Sequence, residues 1–153
     1  MDGKTINSIL RSDPFTLKCF GGVLTLSEKD QWPQPLKLPV SYVINTDVRK
    51  DGPGEHWVAL YCAESGGCDY FDSYGTPPLE GIYDFVKRFS SGPVLYNTKW
   101  VQSPLSRVCG AYAVFFLLMR SRGITMQNVG GLFQNGKNLM GNDALLIELL
   151  AGD

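Results

Sequence analysis

Residues 56–72 read HWVALYCAESGGCDYFD. His56–Cys62 (HWVALYC) is an aromatic and aliphatic run that predicts a buried strand, and Cys68–Asp72 (CDYFD) predicts its neighbour. Glu64–Gly67 (ESGG) between them is a hairpin turn. Closing that hairpin returns the end of the second strand beside the start of the first. His56 and Asp72 are therefore expected together near one edge of a sheet.

Outward from this hairpin, Val40–Asn45 (VSYVIN) has strand composition, and Asp47–Glu55 (DVRKDGPGE) reads as a loop. Further upstream lie a short strand at Val23–Leu26 and an extended proline-rich stretch at Gln31–Pro39. Near the start, Ile6, Ile9 and Leu10 mark a short amphipathic helix over Thr5–Arg11. Downstream, Leu79, Ile82, Val86 and Phe89 form one helical stripe behind Pro77–Pro78. Val94–Val101 reads as a strand with a break near Asn97, and Gln102–Arg107 as a loop. Val108–Arg120 is apolar nearly all round, as a buried central helix is. Gly130–Gly141 reads as loop, and Asn142 or Asp143 as the cap of a last helix over Ala144–Leu150. The expected fold is α+β: an antiparallel or mixed central sheet packed on a buried central helix.

The chain has 153 residues, the size of one domain, so residues 1–153 are expected to form a single unit. With 44% apolar and 19% charged residues it can build a core. A net charge of −1 argues against nucleic-acid binding by bulk charge. There is one histidine, His56, which excludes multi-histidine metal sites, and no CxxC pair that would signal a zinc ribbon. The longest apolar stretch, Ala111–Met119, is far shorter than the ~20 residues that span a bilayer. Met1–Arg11 does not read as a secretory leader, so Cys19, Cys62, Cys68 and Cys109 are expected as thiols of a reducing compartment. A Cys62–Cys68 bridge across the hairpin is the less favoured alternative.

Four residues can carry chemistry together. Cys109 stands where a loop enters the most buried helix, and a helix N-terminus lowers a thiol's pKa. His56 opens a strand beside a loop. Asp72 closes the next strand, where a carboxylate can hold an imidazole. Gln102, seven residues before Cys109, offers an amide donor for an oxyanion. Each has a structural alternative when taken singly: a small core thiol, a backbone-bonded histidine, a turn-starting Asp, and a loop Gln. Gly110 leaves room for a substrate backbone, as does Gly54 in the loop before His56. Trp57 is either a groove wall or core.

In order and spacing, HWVALY…YFDSYG…VQSPLSRVCGAY resembles adenain, the adenovirus-type cysteine protease family, with its relatives in adenovirus-like viruses and Maverick/Polinton elements. The wider fold group includes the SUMO-specific proteases. The shared order is His–Trp, an acidic residue on the next strand, Gln, then Cys–Gly at a helix start. It falls on His56–Trp57, Asp72, Gln102 and Cys109–Gly110, and the resemblance covers Val40–Arg120.

The resemblance implies an adenain-like cysteine endopeptidase with a Cys–His–Asp triad and a Gln oxyanion hole. It would cleave viral capsid or core precursor proteins after small residues of Gly–Gly type during virion maturation. Adenain has Glu where this chain has Asp72, the residue found in the SUMO-protease branch. Adenain's peptide activator bonds to a cysteine upstream of its Gln, and Ser91–Val101 contains none. No cofactor is therefore expected. The sequence supports neither a covalent peptide activator nor DNA stimulation, and a non-covalent activating peptide stays open. The expected partners are protein substrates, with no membrane, and the expected form is a monomer in the virion and the host nucleus or cytoplasm. The alternatives are a deubiquitinase- or deSUMOylase-like protease acting on ubiquitin-like proteins, and an inactive peptide-binding module.

Overall fold

The computed structural model describes residues 1–47, 56–104 and 106–151. The chain runs α1 (Gly3–Ser12), β1 (Phe20–Thr25), β2 (Val40–Asn45), β3 (Trp57–Cys62), β4 (Cys68–Phe71), α2 (Glu80–Lys87), β5 (Val94–Tyr96), α3 (Cys109–Ser121), α4 (Met126–Gly130) and α5 (Leu139–Ala151). The strands form one sheet in the order β1-β2-β3-β4-β5. The inner pairs β2–β3 and β3–β4 are antiparallel, and the outer pairs β1–β2 and β4–β5 are parallel. The sheet is thus mixed, and the expected α+β architecture is the one observed.

The period-2 alternation of the strands explains why the hairpin reads as continuously apolar. Val43, Trp57, Ala59 and Phe71 face one layer, where α3 lies with α1 and α5. Tyr42, Ile44, Val58, Leu60 and Tyr70 face the opposite layer, filled by Ile82, Phe85 and Val86 of α2 and by Trp32. A strand buried on both faces loses the polar half of its pattern. The central helix α3 is buried from Cys109 to Leu117, which accounts for its apolar circumference. Phe116 of α3 stacks on Phe71 of β4 with ring centroids 4.7 Å apart.

Three local expectations are corrected. First, Cys62 and Cys68 are joined as a disulfide and are not free thiols. They are directly opposed in the β3–β4 register, with Cα atoms 4.1 Å apart, and both are buried. Register brings them together regardless of the compartment from which thiols were expected; Cys19 and Cys109 remain free.

Second, β5 ends at Tyr96, at the break expected near Asn97, and the part of the expected strand from there to Val101 is not strand. The chain leaves the sheet at Asn97, whose side chain takes over the ladder. Asn97 Oδ1 accepts from the Asp72 N–H at 2.9 Å, and Nδ2 donates to the Asp72 carbonyl at 2.7 Å.

Third, α5 begins at Leu139, so Asn142 and Asp143 lie inside it and cap nothing. The Gly/Asn richness that suggested a loop has a packing cause. A Cβ at Gly141 would stand 2.8 Å from the Asn138 side chain. The five-residue α4, capped by Thr125 Oγ1 on the Asn128 N–H, is too short for periodicity to reveal.

Candidate active site

α3 begins at Cys109, and its N-cap residue Val108 supplies no side-chain hydrogen bond to the helix end. Backbone N–H groups of Trp57 and Gly110 instead reach the Cys109 sulfur. The imidazole of His56 hydrogen-bonds the same sulfur. Burial works against the thiolate, but the His56 bond, these N–H groups and the imidazolium charge outweigh it, so the Cys109 pKa is lowered from its ordinary 9.0.

His56 immediately precedes β3, and Asp72 immediately follows β4. The hairpin brings His56 Nε2 to 2.8 Å from Asp72 Oδ1, which leaves Nδ1 for the thiol. Burial disfavours the imidazolium; the hydrogen bonds to Asp72 and Cys109 and their charges overcome this, raising the His56 pKa from 6.5 to about 9. Asp72 is 3% exposed. Burial pushes its carboxyl up, yet His56, Thr76 and the Tyr74 N–H hold it below its ordinary 3.8. Its Oδ1 also accepts from the Tyr74 N–H at 2.8 Å, and its Oδ2 accepts from Thr76 Oγ1.

The turn after β4 adds a residue that the sequence did not single out. The ring of Tyr74 stacks on the imidazole, with centroids 5.0 Å apart and planes 17° apart. One residue therefore covers His56 with its ring and braces Asp72 with its backbone. A conformational signal lies in Gly75, which has φ +73°. A Cβ there would lie 2.9 Å from the Thr98 carbonyl oxygen, so the turn can close only on glycine.

Gln102 is fully buried in the strap that leads to α3. Its Oε1 accepts from Ser73 Oγ at 2.5 Å, and its Nε2 lies 3.3 Å from both the carbonyl and the hydroxyl oxygen of Ser106. Those Nε2 contacts are longer than the usual ~2.9–3.0 Å. Val101 and Gln102 both donate their N–H to the Ser73 carbonyl, at 2.9 and 3.1 Å. The residue after the catalytic carboxylate candidate therefore anchors the glutamine, and the two halves of the site meet at Ser73.

Trp57 and Gly110, offered by the sequence for the substrate path, are both buried. Trp57 is 6% exposed and its side chain belongs to the core, while its backbone N–H reaches the Cys109 sulfur. Gly110 is buried; a Cβ there would lie 3.2 Å from Trp57 Cδ1 and 3.4 Å from Ile6 Cδ1. It lets α3 approach α1 and Trp57. Gly54 lies outside the described residues. Among the described residues, no group of three His, Cys, Asp or Glu side chains could hold a metal ion.

No protein-family model matches the chain, and no curated protein matches it. Solved structures do. The crystal structure of the ASFV pS273R protease matches with a TM-score of 0.65 at 15% identity, over 90% of this chain and 63% of that one. Its selenomethionine form matches with a TM-score of 0.67 at 15% identity, over 91% and 64%. The present chain thus spans just under two thirds of that protease's length. The SUMO protease Ulp1, with its catalytic cysteine oxidised to a sulfinic acid, matches with a TM-score of 0.55 at 11% identity, over 99% and 78%. The mixed sheet on α3 is therefore the fold of these proteases, a SUMO-protease-like cysteine protease fold.

Proposed function

We propose that this chain is a cysteine endopeptidase acting through Cys109, His56 and Asp72, with Gln102 in the oxyanion hole. The observation that carries the reading is the hydrogen-bonded line from Asp72 through His56 to a thiol at the start of α3. The two neighbouring protease folds support it.

The lowered thiol pKa and the raised imidazole pKa favour a thiolate–imidazolium pair at neutral pH. The thiolate attacks the scissile carbonyl carbon. The developing oxyanion takes hydrogen bonds from the Gln102 amide and the Cys109 backbone N–H, the amide exchanging its long contacts to Ser106 for this bond. The C–N bond then breaks, and His56 delivers its proton to the leaving amine. Water attacks the thioester and His56 takes its proton; the C–S bond then breaks, releasing the acid product and restoring the thiolate–imidazolium pair. Asp72 holds the imidazole and stabilises its charge without taking the proton.

For the substrate we take viral precursor proteins cleaved after small residues of Gly–Gly type. The adenain-like order of His56, Asp72, Gln102 and Cys109 supports this, as does the viral origin of one structural neighbour. The tie to adenovirus-like viruses and Maverick elements rests on the sequence resemblance alone. A ubiquitin-like substrate is the second reading, favoured by the Ulp1 likeness.

The test is a peptide-library cleavage assay on wild type and Cys109→Ala. Cleavage by wild type and its loss in the variant, on the order of 10⁵-fold, are expected. An unchanged rate in the purified variant would sink the assignment. Labelling of Cys109 by a SUMO or ubiquitin vinyl sulfone, without cleavage of capsid precursors, would select the second substrate class.

A further inference from the structure

The buried pair Asn142–Asp143 of α5 is not used by the mechanism, although both side chains point at the strap that carries Gln102. Asn142 is 3% exposed and Asp143 6%. Asn142 Nδ2 donates to the Val101 carbonyl at 2.9 Å and to the Gln134 carbonyl at 2.7 Å. Asp143 Oδ1 accepts from Tyr112 Oη at 2.8 Å and lies 3.5 Å from the Ser103 N–H. Tyr112, one turn after Cys109 on α3, also has its hydroxyl 3.2 Å from the Val101 carbonyl. Val101 is thus held from α3 and α5, and Asp143 faces the Ser103 N–H at longer range, while Ser73 holds Val101 and Gln102 from the other side.

This arrangement is an expensive way to pack two helices. A buried carboxylate costs stability unless it is paired, and Asp143 Oδ2 has no hydrogen-bond partner among the described residues. Apolar side chains would dock α5 on α3 without that cost. What Asn142 and Asp143 supply, and apolar residues could not, is directional bonding to the backbone on both sides of Gln102.

We propose that Asp143, acting with Asn142 and Tyr112, is a positioning residue for the oxyanion half of the site: it fixes the strap at residues 101–103 and through it the Gln102 amide. This inference rests on the protease reading above. It separates two steps that a thiol can perform. Alkylation by iodoacetamide needs the thiolate alone. Addition to a peptide aldehyde ending in Gly-glycinal forms a C–S bond and an oxygen that must be held by the oxyanion donors, with no group leaving.

The experiment measures both on the full chain, in wild type, Asp143→Ala, Asp143→Asn, Gln102→Ala and the Asp143→Ala/Gln102→Ala double variant. Asp143→Ala is expected to leave Cys109 alkylation within about twofold and to weaken the aldehyde about tenfold. In the Gln102→Ala background the same change should weaken it by no more than about twofold, since the two act as one unit. Asp143→Asn keeps an acceptor for Tyr112 and Ser103, so it should restore aldehyde affinity to within about threefold. It also covers the case in which the alanine variant does not fold. Undiminished aldehyde affinity in Asp143→Ala, full additivity with Gln102→Ala, or parallel loss of alkylation and aldehyde binding would each overturn the inference. A wild-type Cys109 that alkylates no faster than Cys19 and ignores the aldehyde overturns the protease reading instead.

Discussion

His56 and Asp72 stand at the ends of two paired strands, whereas Gln102 and Cys109 stand at the two ends of a loop. The first pair is set by a hairpin: fixing the β3–β4 register from Ala59↔Phe71 to Cys62↔Cys68 leaves the side chains before β3 and after β4 little choice. The second pair depends on distant parts of the chain. The strap before α3 is held by Ser73 from the sheet and by Tyr112, Asn142 and Asp143 from the helices. One half of the site is local geometry and the other is tertiary assembly, so the halves should fail differently when damaged.

The largest contrast is between Asp72→Ala and Gln102→Ala. Without Asp72 the imidazole loses both its orientation and the partner of its charge. We expect a fall in kcat of about 10⁴-fold. Cys109 alkylation at neutral pH should slow with it, because the thiolate depends on His56. Without Gln102 only the oxyanion loses a donor. We expect a loss of about 10²–10³-fold in kcat, with alkylation unchanged. Steady-state kinetics alongside alkylation rates measures both; equal losses of alkylation in the two variants would erase the distinction.

The same contrast decides what could be read from sequence. The hairpin and the central helix are legible because they follow from period and turn chemistry, whereas His56, Asp72, Gln102 and Cys109 stand out as one set only through their resemblance to the adenain-like order. Val40–Asn45 matches β2 at both ends for that reason. Asn142 and Asp143 were not legible in their observed roles. Asn and Asp before an apolar run are ordinary caps, and nothing local says that the helix begins at Leu139, five residues before Ala144. Tyr74 was hidden in a turn, where an aromatic residue has no period to reveal it. The Cys62–Cys68 bond was available in outline, since the two cysteines flank the hairpin turn. Compartment reasoning displaced it, although register alone opposes the two residues.

A pH profile sharpens the comparison from the His56 side. The His56 pKa is raised, so the stability that depends on its protonated form is complete below the unfolded value of 6.5 and is lost as pH rises through about 9. The gap in Tm between wild type and His56→Ala should therefore close between those two values. The kcat/KM profile should fall on its alkaline side near pH 9, as the imidazolium that protonates the leaving amine disappears. The Cys109 pKa is lowered, so the acid limb should lie below 9.0 and move up toward it in His56→Ala, read by alkylation rate against pH. Gln102→Ala should leave both limbs where they are. A displaced limb in that variant would mean that the glutamine acts on the ion pair.

The smallest effect tests whether even the strand-built half is purely local. Asp72 lies just beyond the last residue of β4, so its own backbone is not held by the β5 ladder. Asn97 stands in for the missing strand through its bonds to the Asp72 N–H and carbonyl, and Nδ2 also reaches the Lys99 carbonyl at 3.1 Å. Removing these groups in Asn97→Ala leaves a buried stretch of backbone underpaired, which costs about 1–3 kcal/mol. Asp72 keeps its side-chain partners His56, Tyr74 and Thr76, so kcat should fall only severalfold, with little change in KM. Asn97→Asp retains the acceptor for the Asp72 N–H but turns a carboxylate oxygen onto the Asp72 and Lys99 carbonyls that Nδ2 now serves, so its stability should fall below that of alanine. Thermal melts with steady-state kinetics read both quantities. A loss in kcat as large as that of Asp72→Ala would show that the acid's position is set from β5 outward, and that the hairpin alone does not build this half of the site.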